Sequence, residues 1–559
     1  WIQRDGIERL RHVMGYSRQH STICVGLSDA GWLVGAGVKR GVDAREIRET
    51  DLLVVWGGNP VNTQINVIHR FQQARRQRGT KLVVVDPYTT DTAKRADLHL
   101  RLRPGTDGAL ACAVMHILFR DGLADWDYLQ NYSDDPQALT EHLKMRTPAW
   151  AASITGLAVS EIEKFAELYG SNPRSFLRLG YGFTRARNGA TNMHAVSCLP
   201  MITGAWKYKE SGCFVGSIEE MWNVDLQKLQ RPDLLDGKNP RSINMVQIGN
   251  ALNDKKLDPP IKHLFVWNSD VANCTPDSSQ VRKGLQRKDL FTVVHDTFWT
   301  DSCMYADVVL PADTQLEHTD LHAPYGHYYF SLTQQAIKPL GESKSNQDLF
   351  RDLAKYMGYK EKCFKETDES MIKNMIDPKH NPLFRGVTYE KLKKNGWVKG
   401  DVDNPRRNYL KKGWPTKDKK IQIYSEDTKK IGLGPYPSYT EEFKKSEIKK
   451  KYPIQILSPA THQFIGNSFV PVERLRNMAS RPTIEISTGD AKKRKIKDGD
   501  LCRVFNDVGE TYAHAIIKDS MLQGVASTQK QYRGSLVKNG LNANALNSQE
   551  LTDLSLIHI

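Results

Sequence analysis

Two short apolar runs joined by one helical segment limit the fold of this chain more than any other feature of its sequence. The first run, 52–56, breaks at a Gly-Gly-Asn-Pro sequence (57–60), and the second, 82–85, ends at an Asp-Pro pair. The segment between them has apolar residues at helical spacing and a basic outer face. Apolar strands around one helix are typical of a βαβ unit in a buried parallel sheet, which binds ligands beyond the carboxyl ends of its strands.

The same arrangement recurs further along the chain. One apolar run ends at Trp267, a second ends at Asp296, and a helical segment lies between them. The distance from the Asn after the first strand to the Asp after the second is 27 residues in the first unit and 28 in the second, and an Ala-Asp pair follows each Asp by 11 residues. The matched positions are Asn59, Asp86 and Asp97 in one unit and Asn268, Asp296 and Asp307 in the other. We therefore predict an internally duplicated scaffold that holds two similar ligand halves.

The domain organisation follows from length and from changes in composition. A chain of 559 residues is long enough for about three or four domains. After residue 451, short strand-like segments alternate with turn signals, which favours a small β-barrel. Before it lies a stretch rich in Lys, Pro and Gly with few apolar runs. We predict a first α/β domain at 1–203, a second at 204–358, a connecting region at 359–450 and a C-terminal β-barrel domain at 451–559.

The chain is basic, with 79 Lys and Arg against 64 Asp and Glu and a net charge of +15. The excess lies in loops such as 355–451 and 492–497, without one basic stripe that includes aromatic residues, so it favours solvated surface or attraction of an anionic cofactor over nucleic-acid binding. No apolar stretch approaches the ~20 residues that span a membrane, so we predict no direct membrane span. The sequence also lacks the nucleophile, phosphate-loop and zinc motifs of common hydrolases and NTPases.

Polar residues at the predicted strand ends are candidates for ligand binding. Asn59 and Asn268 can both donate and accept hydrogen bonds, while Asp86 and Asp296 are placed to accept from a ribose hydroxyl or a base amine. Asn and Asp beside Pro are also common in simple turns. The duplication favours ligand binding at both strand ends.

Two further positions have more than one interpretation. Asp107, between Gly105 and Gly108 at the start of a predicted helix, is either an acceptor for a guanine-like edge or an N-cap. Cys24 lies in a glycine-flanked run before the first strand, where a thiolate suits a soft transition metal, although a single Cys is more often a core residue. The eight cysteines form no Cys-x-x-Cys pair, so the sequence encodes no zinc or iron–sulfur site of that type.

Several stretches carry a resemblance to a known family: WGGNPVNT, VVVDPYTTDTAKRADLHLRLRPGTDGAL, GYGFTRARNGA, FVWNSDVANCTPD, VVHDTFWTDSCMYADVVLPADTQLEHTD, IKDGDLCRVFNDVG and NANALN. In order and spacing they resemble the molybdopterin oxidoreductases, which include dimethyl sulfoxide reductase, periplasmic nitrate reductase and formate dehydrogenase. The resemblance implies a molybdenum or tungsten ion held by the dithiolenes of two pterin guanine dinucleotides. It also implies two related, doubly wound α/β sheet domains around a shared cofactor cleft and a C-terminal barrel of the double-psi type.

Positions matching the family's motifs imply site residues. Cys24 falls where the family places its protein ligand to the metal, and basic residues such as Arg185 and Arg187 are placed to attract an oxyanion. The residues implied for one dinucleotide are Gly58, Asn59, Asp86 and Asp107, and Thr106 and Gly182 are further residues implied to bind the cofactor. Those implied for the other are Asn268, Ser269, Asp296 and Asp313, with His462 and Asn542 as contacts of the pterins.

The function implied is that of a catalytic subunit which moves two electrons or an oxygen atom on a small, anionic substrate. Family members usually begin with cysteines for a [4Fe-4S] cluster, which this sequence lacks, so the cluster either lies in a missing N-terminal segment or is absent. We expect an iron–sulfur electron-transfer subunit or domain as partner. Val25 stands where formate dehydrogenases have His, which argues against formate. A catalytically inactive structural subunit of a respiratory complex is the alternative. The compartment, on the periplasmic or cytoplasmic side of a prokaryotic membrane, is left open.

Overall fold

The computed structural model describes residues 1–37, 41–216, 221, 223–402, 413–430, 432–442, 450–479, 481–530 and 532–553. In chain order the strands are β1 Arg18–His20, β2 Leu52–Trp56, β3 Lys81–Val85, β4 Leu98–Leu100, β5 Ser175–Leu179, β6 Gly212–Phe214, β7 Ser242–Asn244, β8 His263–Trp267, β9 Phe291–Asp296, β10 Val308–Pro311, β11 Asp320–His322, β12 Tyr329–Thr333, β13 Trp397–Lys399, β14 Gln455–Leu457, β15 Thr483–Ile486, β16 Leu501–Phe505, β17 Glu510–Ile517 and β18 Val525–Thr528.

The α-helices lie before and between these strands. Those of the first half are Ile2–Asp5, Glu8–Met14, Val25–Ala36, Pro60–Thr63, Ile65–Arg78, Asp107–Arg120, Trp126–Tyr132, Pro136–Leu143, Pro148–Thr155, Val159–Gly170, Gly189–Ser197, Leu199–Ile202, Leu226–Gln230 and Ile248–Asn253. Those of the second half are Val271–Cys274, Ser278–Leu285, Asn346–Tyr356, Asp368–Met375, Tyr389–Asn395, Glu426–Lys430, Glu473–Ala479 and Thr488–Arg494. In the described ranges, no helix combines the length and apolar character needed to cross a bilayer.

Five parallel strands form the central sheet of the first α/β unit, in the order β4-β3-β2-β5-β6. Every residue of β2 and β5 is buried, as expected for a parallel sheet covered by helices on both faces. Helix Ile65–Arg78 contributes its apolar stripe to this core and ends at Gly79, which has a left-handed φ of 72°. The chain winds outward from β2 in one direction and from β5 in the other, so the sheet is doubly wound.

The second α/β unit repeats the central part of the first. Its parallel strands lie in the order β10-β9-β8, and helices Val271–Cys274 and Ser278–Leu285 connect β8 to β9. Both predicted βαβ units are therefore confirmed.

The C-terminal residues form a mixed sheet in the order β14-β18-β15-β17-β16, which curls into half of a barrel. Together with the two parallel sheets, this confirms the predicted α/β fold class with a barrel-type C-terminal domain. The sequence did not predict β15, because its four residues lie between a proline and a polar helix.

A further antiparallel sheet, β11-β12-β13, contributes to a separate hydrophobic core. Trp1 and Ile2 enter this core together with Phe330 and Phe384. Residues 403–412, 431 and 443–449 of the predicted connecting region lie outside the described residues, whereas Trp414 packs into the core of the first α/β unit. The boundaries at 203, 358 and 450 stay predictions.

Candidate functional site

The first candidate site lies at the carboxyl ends of the neighbouring strands β2 and β5. After these two strands the chain continues towards opposite edges of the sheet, and α/β sheets bind ligands at such a position. Glycines line it because the two chains touch through their backbones. The amide of Gly182 donates to the carbonyl oxygen of Gly57 at 2.9 Å, and a Cβ added to Gly180 would lie 2.1 Å from that same oxygen. Gly58 lies against Gly180 on the same side. These contacts leave a ledge of exposed backbone that a bulky ligand can approach closely.

Two buried carboxyl groups stand beside this ledge. Asp86 follows β3, and Asp107 begins helix Asp107–Arg120, where it accepts a hydrogen bond of 2.7 Å from Nε1 of Trp56. Burial raises the pKa of Asp86 to about 8 and the pKa of Asp107 to about 7. The Asp107 charge contributes to the shift at Asp86, so the two groups lie within electrostatic reach of each other. A pair of buried acceptors suits the N–H groups of a nitrogenous base.

The raised pKa of Asp86 predicts a pH-dependent stability of the ligand-free protein. From about pH 4 to about pH 8 the folded protein keeps a proton that the unfolded chain releases, because burial raises the pKa from 3.8 to about 8. The stability that this proton gives the folded protein is fully present below about pH 4. It is lost as pH rises towards about pH 8, by up to about 1.4 kcal/mol per pH unit. Urea unfolding at pH 5, 6 and 7 is expected to show a flatter pH dependence for Asp86→Asn than for the wild type. Equal slopes would contradict the prediction.

The duplication extends to individual hydrogen bonds after β2 and β8. Oδ1 of Asn59 accepts from the backbone amide and hydroxyl of Thr92 at 3.3 and 2.7 Å. Oδ1 of Asp270 accepts from the backbone amide and hydroxyl of Ser302 at 3.0 and 2.7 Å. Asn59 in the first unit and Asp270 in the second each occupy the N-cap position of the helix that follows. The counterpart of Asn59 is therefore Asp270.

The predicted pairing of Asn59 with Asn268 was wrong for this reason. Asn268 matches Gly57 instead: both directly follow a strand, both have a left-handed φ (49° and 61°), and both donate their amide to the neighbouring strand. The spacing alone did not reveal this match, because Asp270 precedes Asp296 by 26 positions whereas Asn59 precedes Asp86 by 27.

The matched Ala-Asp pairs have the same structural role in both units. Oδ2 of Asp97 accepts from the amide of Leu82 at 2.8 Å, and Oδ2 of Asp307 accepts from the amide of Thr292 at 2.7 Å. Leu82 and Thr292 are the second residues of β3 and β9. These aspartates fix the start of a strand in each unit, so the repeat is confirmed at these positions.

The candidate residues of the second unit differ in exposure. Asn268 and Ser269 are exposed, and Asp296 is half-buried, with a pKa that burial raises. Asp313 is buried, with its Oδ1 2.8 Å from Nδ1 of His318.

The remaining candidates lie in different settings. Thr106 is buried and donates to the carbonyl oxygen of Arg103 at 2.6 Å. His462 is exposed. Asn542 is buried, and its amide hydrogens go to oxygens of Asn273 and Tyr532, so it links the C-terminal half-barrel to the second α/β unit.

Cys24 has an unusual backbone conformation for a residue with a side chain. It is a free, half-buried thiol immediately before helix Val25–Ala36, with φ 60° and ψ −109°. Such a conformation costs about 1–3 kcal/mol and persists where the surrounding structure imposes it. Cys24 therefore lies outside the helix, at its N-cap position.

The groups around Cys24 come from distant parts of the chain. It interacts electrostatically with Tyr181 after β5, with Tyr325 before β12 and with Lys530 after β18. The rings of Tyr181 and Tyr325 meet edge to face with centroids 6.1 Å apart. Arg185, an exposed residue of the loop after β5, interacts with Lys530 in turn. Cys24 and Arg185 therefore both lie within electrostatic reach of Lys530, and their predicted roles stay predictions.

Sequence analysis missed Tyr325 and Lys530 at this site, because no local pattern joins residues so far apart in the chain. Within the ranges that the structure describes, no cluster of three or more His, Cys, Asp and Glu side chains is arranged to hold a metal ion.

Comparison with known proteins gives two family matches. The profile described as "Molybdopterin oxidoreductase" matches residues 16–356, and the profile described as "Molydopterin dinucleotide binding domain" matches residues 459–557.

Similar proteins extend over nearly the whole chain. A probable oxidoreductase of Bacillus subtilis is 36% identical over 99% of this chain and 80% of its own length. A dimethyl sulfoxide reductase of Escherichia coli is 28% identical over 93% of this chain and 70% of its own. The alpha subunit of an F420-dependent formate dehydrogenase of Methanocaldococcus jannaschii is 27% identical over 90% and 75%. Among solved structures, acetylene hydratase from Pelobacter acetylenicus has the same fold, with a TM-score of 0.81 at 21% identity over 98% of this chain and 82% of that one.

Proposed function

This chain belongs to the molybdopterin oxidoreductase family, and on that premise we propose that it catalyses two-electron or oxygen-atom transfer on a small anionic substrate. It is an oxidoreductase whose cofactor is a molybdenum or tungsten bis(molybdopterin guanine dinucleotide). When bound, that group supplies a metal ion able to exchange two electrons and an oxygen atom.

The residues of the first unit fit such a cofactor. Gly58 and Gly182 let the loops after β2 and β5 pack backbone to backbone, since a Cβ on Gly182 would lie 2.6 Å from the carbonyl oxygen of Gly57, and we assign the dinucleotide to the ledge that these loops form. Asp86 and Asp107 supply buried acceptors for the amidine edge of guanine, whose N–H groups stabilise the ionised carboxyl groups. Asn59 and Thr106 complete the set that we assign to this dinucleotide.

We assign the second dinucleotide to Asn268, Ser269, Asp296 and Asp313. The repeated hydrogen bonds of the two units support a second ligand position at the carboxyl ends of β8 and β9, where Asn268 takes the place of Gly57. His462 and Asn542 are the proposed contacts of the pterins from the half-barrel.

The observation that carries the proposed chemistry is the strained backbone at Cys24. It holds a free thiol where the loop after β5, the segment before β12 and the end of β18 converge. A thiolate in this position suits a protein ligand to a soft metal. Tyr181 and Tyr325, whose rings meet edge to face, both lie within electrostatic reach of the thiol.

Arg185 supports an anionic substrate. Its guanidinium forms no ion pair with an Asp or Glu among the residues that the structure describes, so its charge is available to a ligand. The F420-dependent relative is named as the alpha subunit of its enzyme. By analogy we propose an iron–sulfur subunit or domain as the electron partner of this chain, and Val25 disfavours formate as its substrate.

Metal and nucleotide analysis tests the proposal. The anaerobically purified full-length protein is expected to contain molybdenum or tungsten near one per chain, and acid treatment is expected to release about twice as much guanine nucleotide. Metal is measured by plasma mass spectrometry and nucleotide by chromatography. A folded protein with neither would be the inactive structural subunit, and the proposed chemistry would be wrong.

A further inference from the structure

Arg178 is a buried cation that the proposed function does not use. It lies in β5, and only 4% of the residue is exposed. Burial lowers the pKa of its guanidinium to about 10, so the group keeps its charge at neutral pH. Arginine is almost never fully buried without a partner for its charge, because an uncompensated charge in a protein interior is strongly destabilising.

The hydrogen-bond partners of this guanidinium carry no charge. Nε donates to Oε1 of Gln64 at 2.9 Å. Nη1 donates to the carbonyl oxygens of Leu179, Phe214 and Val215, the last two at 3.1 Å. Nη2 donates to no residue in the described ranges, and protein atoms do not enclose it. Within the same ranges, no Asp or Glu oxygen lies within 4.0 Å of the guanidinium.

Arg9 shows what such a group requires in this protein. It is the one other Lys or Arg that is buried among the residues that the structure describes. It also donates to backbone carbonyl oxygens, those of Leu229 and Cys363, both at 2.7 Å. In addition it forms an ion pair of 3.0 Å with Glu366. Arg178 has the carbonyl acceptors but lacks the counter-charge.

Arg178 also lies beside an uncapped helix N-terminus. Gln64, which accepts from Nε, occupies the N-cap position of helix Ile65–Arg78, but its side chain forms no capping hydrogen bond. Helix Ser278–Leu285 of the second α/β unit is capped by Asp277, whose side chain accepts from a backbone amide of the first turn. A helix N-terminus has unsatisfied N–H groups and a partial positive charge. Two positive groups therefore lie together at the carboxyl end of β5.

We propose that Arg178 and the N-terminus of helix Ile65–Arg78 bind a phosphate group of the dinucleotide that we assign to the first α/β unit. The inference rests on the proposed function and adds a contact for the charged part of that ligand. In α/β sheets, phosphates bind at helix N-termini beyond the carboxyl ends of strands. The bonds of Nε and Nη1 fix the guanidinium before the ligand arrives, and Nη2 is left to donate to phosphate oxygens.

Calorimetry on the full-length chain prepared without cofactor tests this role by comparing GDP with guanosine, which lacks the phosphate groups. We expect GDP to bind the wild type about 10-fold or more tightly than guanosine at one site. Arg178→Met is expected to weaken GDP binding there by about 10-fold or more, because it removes a charge-assisted hydrogen bond. Guanosine binding is expected to stay within about 3-fold, since the variant keeps the carboxyl groups assigned to the base.

Two further variants make the comparison specific. Arg178→Gln removes the charge but keeps N–H donors for the carbonyl oxygens at the strand ends, so it is expected to lose GDP preference as Arg178→Met does. It provides the same test if Arg178→Met does not fold. Arg174→Met removes a more exposed arginine immediately before β5, which is paired with Glu210, and is expected to bind GDP as the wild type does.

Three results would overturn the phosphate role of Arg178. The first is a wild type that binds GDP no more tightly than guanosine, or Arg178 variants that keep the full preference for GDP. The second is an equal loss of GDP and guanosine binding in those variants, which would mean that the arginine only supports the fold. The third is inorganic phosphate that binds the wild type as tightly as GDP does, because the site would then take a free anion instead of the nucleotide.

Metal content of the natively purified protein separates this inference from the proposed function. If that protein contains molybdenum or tungsten but one of the three results is found, Arg178 has another role and the redox centre stands. If it contains neither metal and the Arg178 variants still lose GDP selectively, the phosphate site stands and the redox function fails.

Discussion

Replacing Cys24 by alanine is expected to lower turnover by about 100-fold or more while the protein stays folded and keeps its pterins. Loss of groups that only orient metal ligands costs about 10–100-fold, so loss of a ligand is expected to cost at least as much. The fold is expected to persist because the thiol is half-buried and forms no disulfide. Turnover, metal content and released guanine are measured on the same preparation.

Two variants serve as comparisons for Cys24→Ala. Cys24→Ser replaces the sulfur by a harder oxygen ligand and is expected to retain more activity than alanine. Cys502→Ala removes another half-buried free thiol, in β16, and is expected to leave turnover unchanged. Full activity in Cys24→Ala would remove this residue from the site.

Gly180→Ala is expected to cause the largest loss of stability among glycine substitutions at the site. The added Cβ would lie 2.1 Å from the carbonyl oxygen of Gly57, and the contact is with backbone, which cannot rotate away. We expect a loss of about 3 kcal/mol or more in the free energy of unfolding, together with loss of bound guanine nucleotide. Urea unfolding and nucleotide analysis measure the two effects.

Gly489→Ala is the matched control for this substitution. Its Cβ would meet only Gln523, at 3.6 Å, in ordinary contact, and the residue lies within helix Thr488–Arg494. The expected result is unchanged or slightly higher stability, since alanine favours helices. If Gly180→Ala were as stable as this control and kept its nucleotide, the close contact between the loops after β2 and β5 would not matter for binding.

Local patterns in the sequence predicted the parts of the fold that depend on local chemistry. The apolar run 52–56 is β2, and the run 82–85 makes up all but the first residue of β3, because buried parallel strands require continuous apolar sequence. The Ala-Asp spacing indicated a true repeat, in which Asp97 and Asp307 accept hydrogen bonds from the amides at the starts of β3 and β9.

Contacts between distant segments were beyond sequence analysis. The match between Asn59 and Asp270 became visible only through their hydrogen bonds to Thr92 and Ser302. The second unit is one residue shorter between this position and the Asp that follows, so equal spacing pointed to the wrong residue. Lys530 looked like one more basic residue in a basic chain until its neighbours were known. The predicted roles of the cofactor-binding residues stay predictions.

The difference between Asn59 and Asp270 has a consequence for a ligand with two chemically identical arms. An amide can offer hydrogens as well as oxygen, whereas an ionised carboxyl group offers oxygen alone. The second oxygen of Asp270 also meets Asn467 of the C-terminal half-barrel, at 3.4 Å. The positions after β2 and β8 therefore offer different hydrogen-bonding groups. In the proposed complex, the two chemically identical arms of the ligand lie in different surroundings.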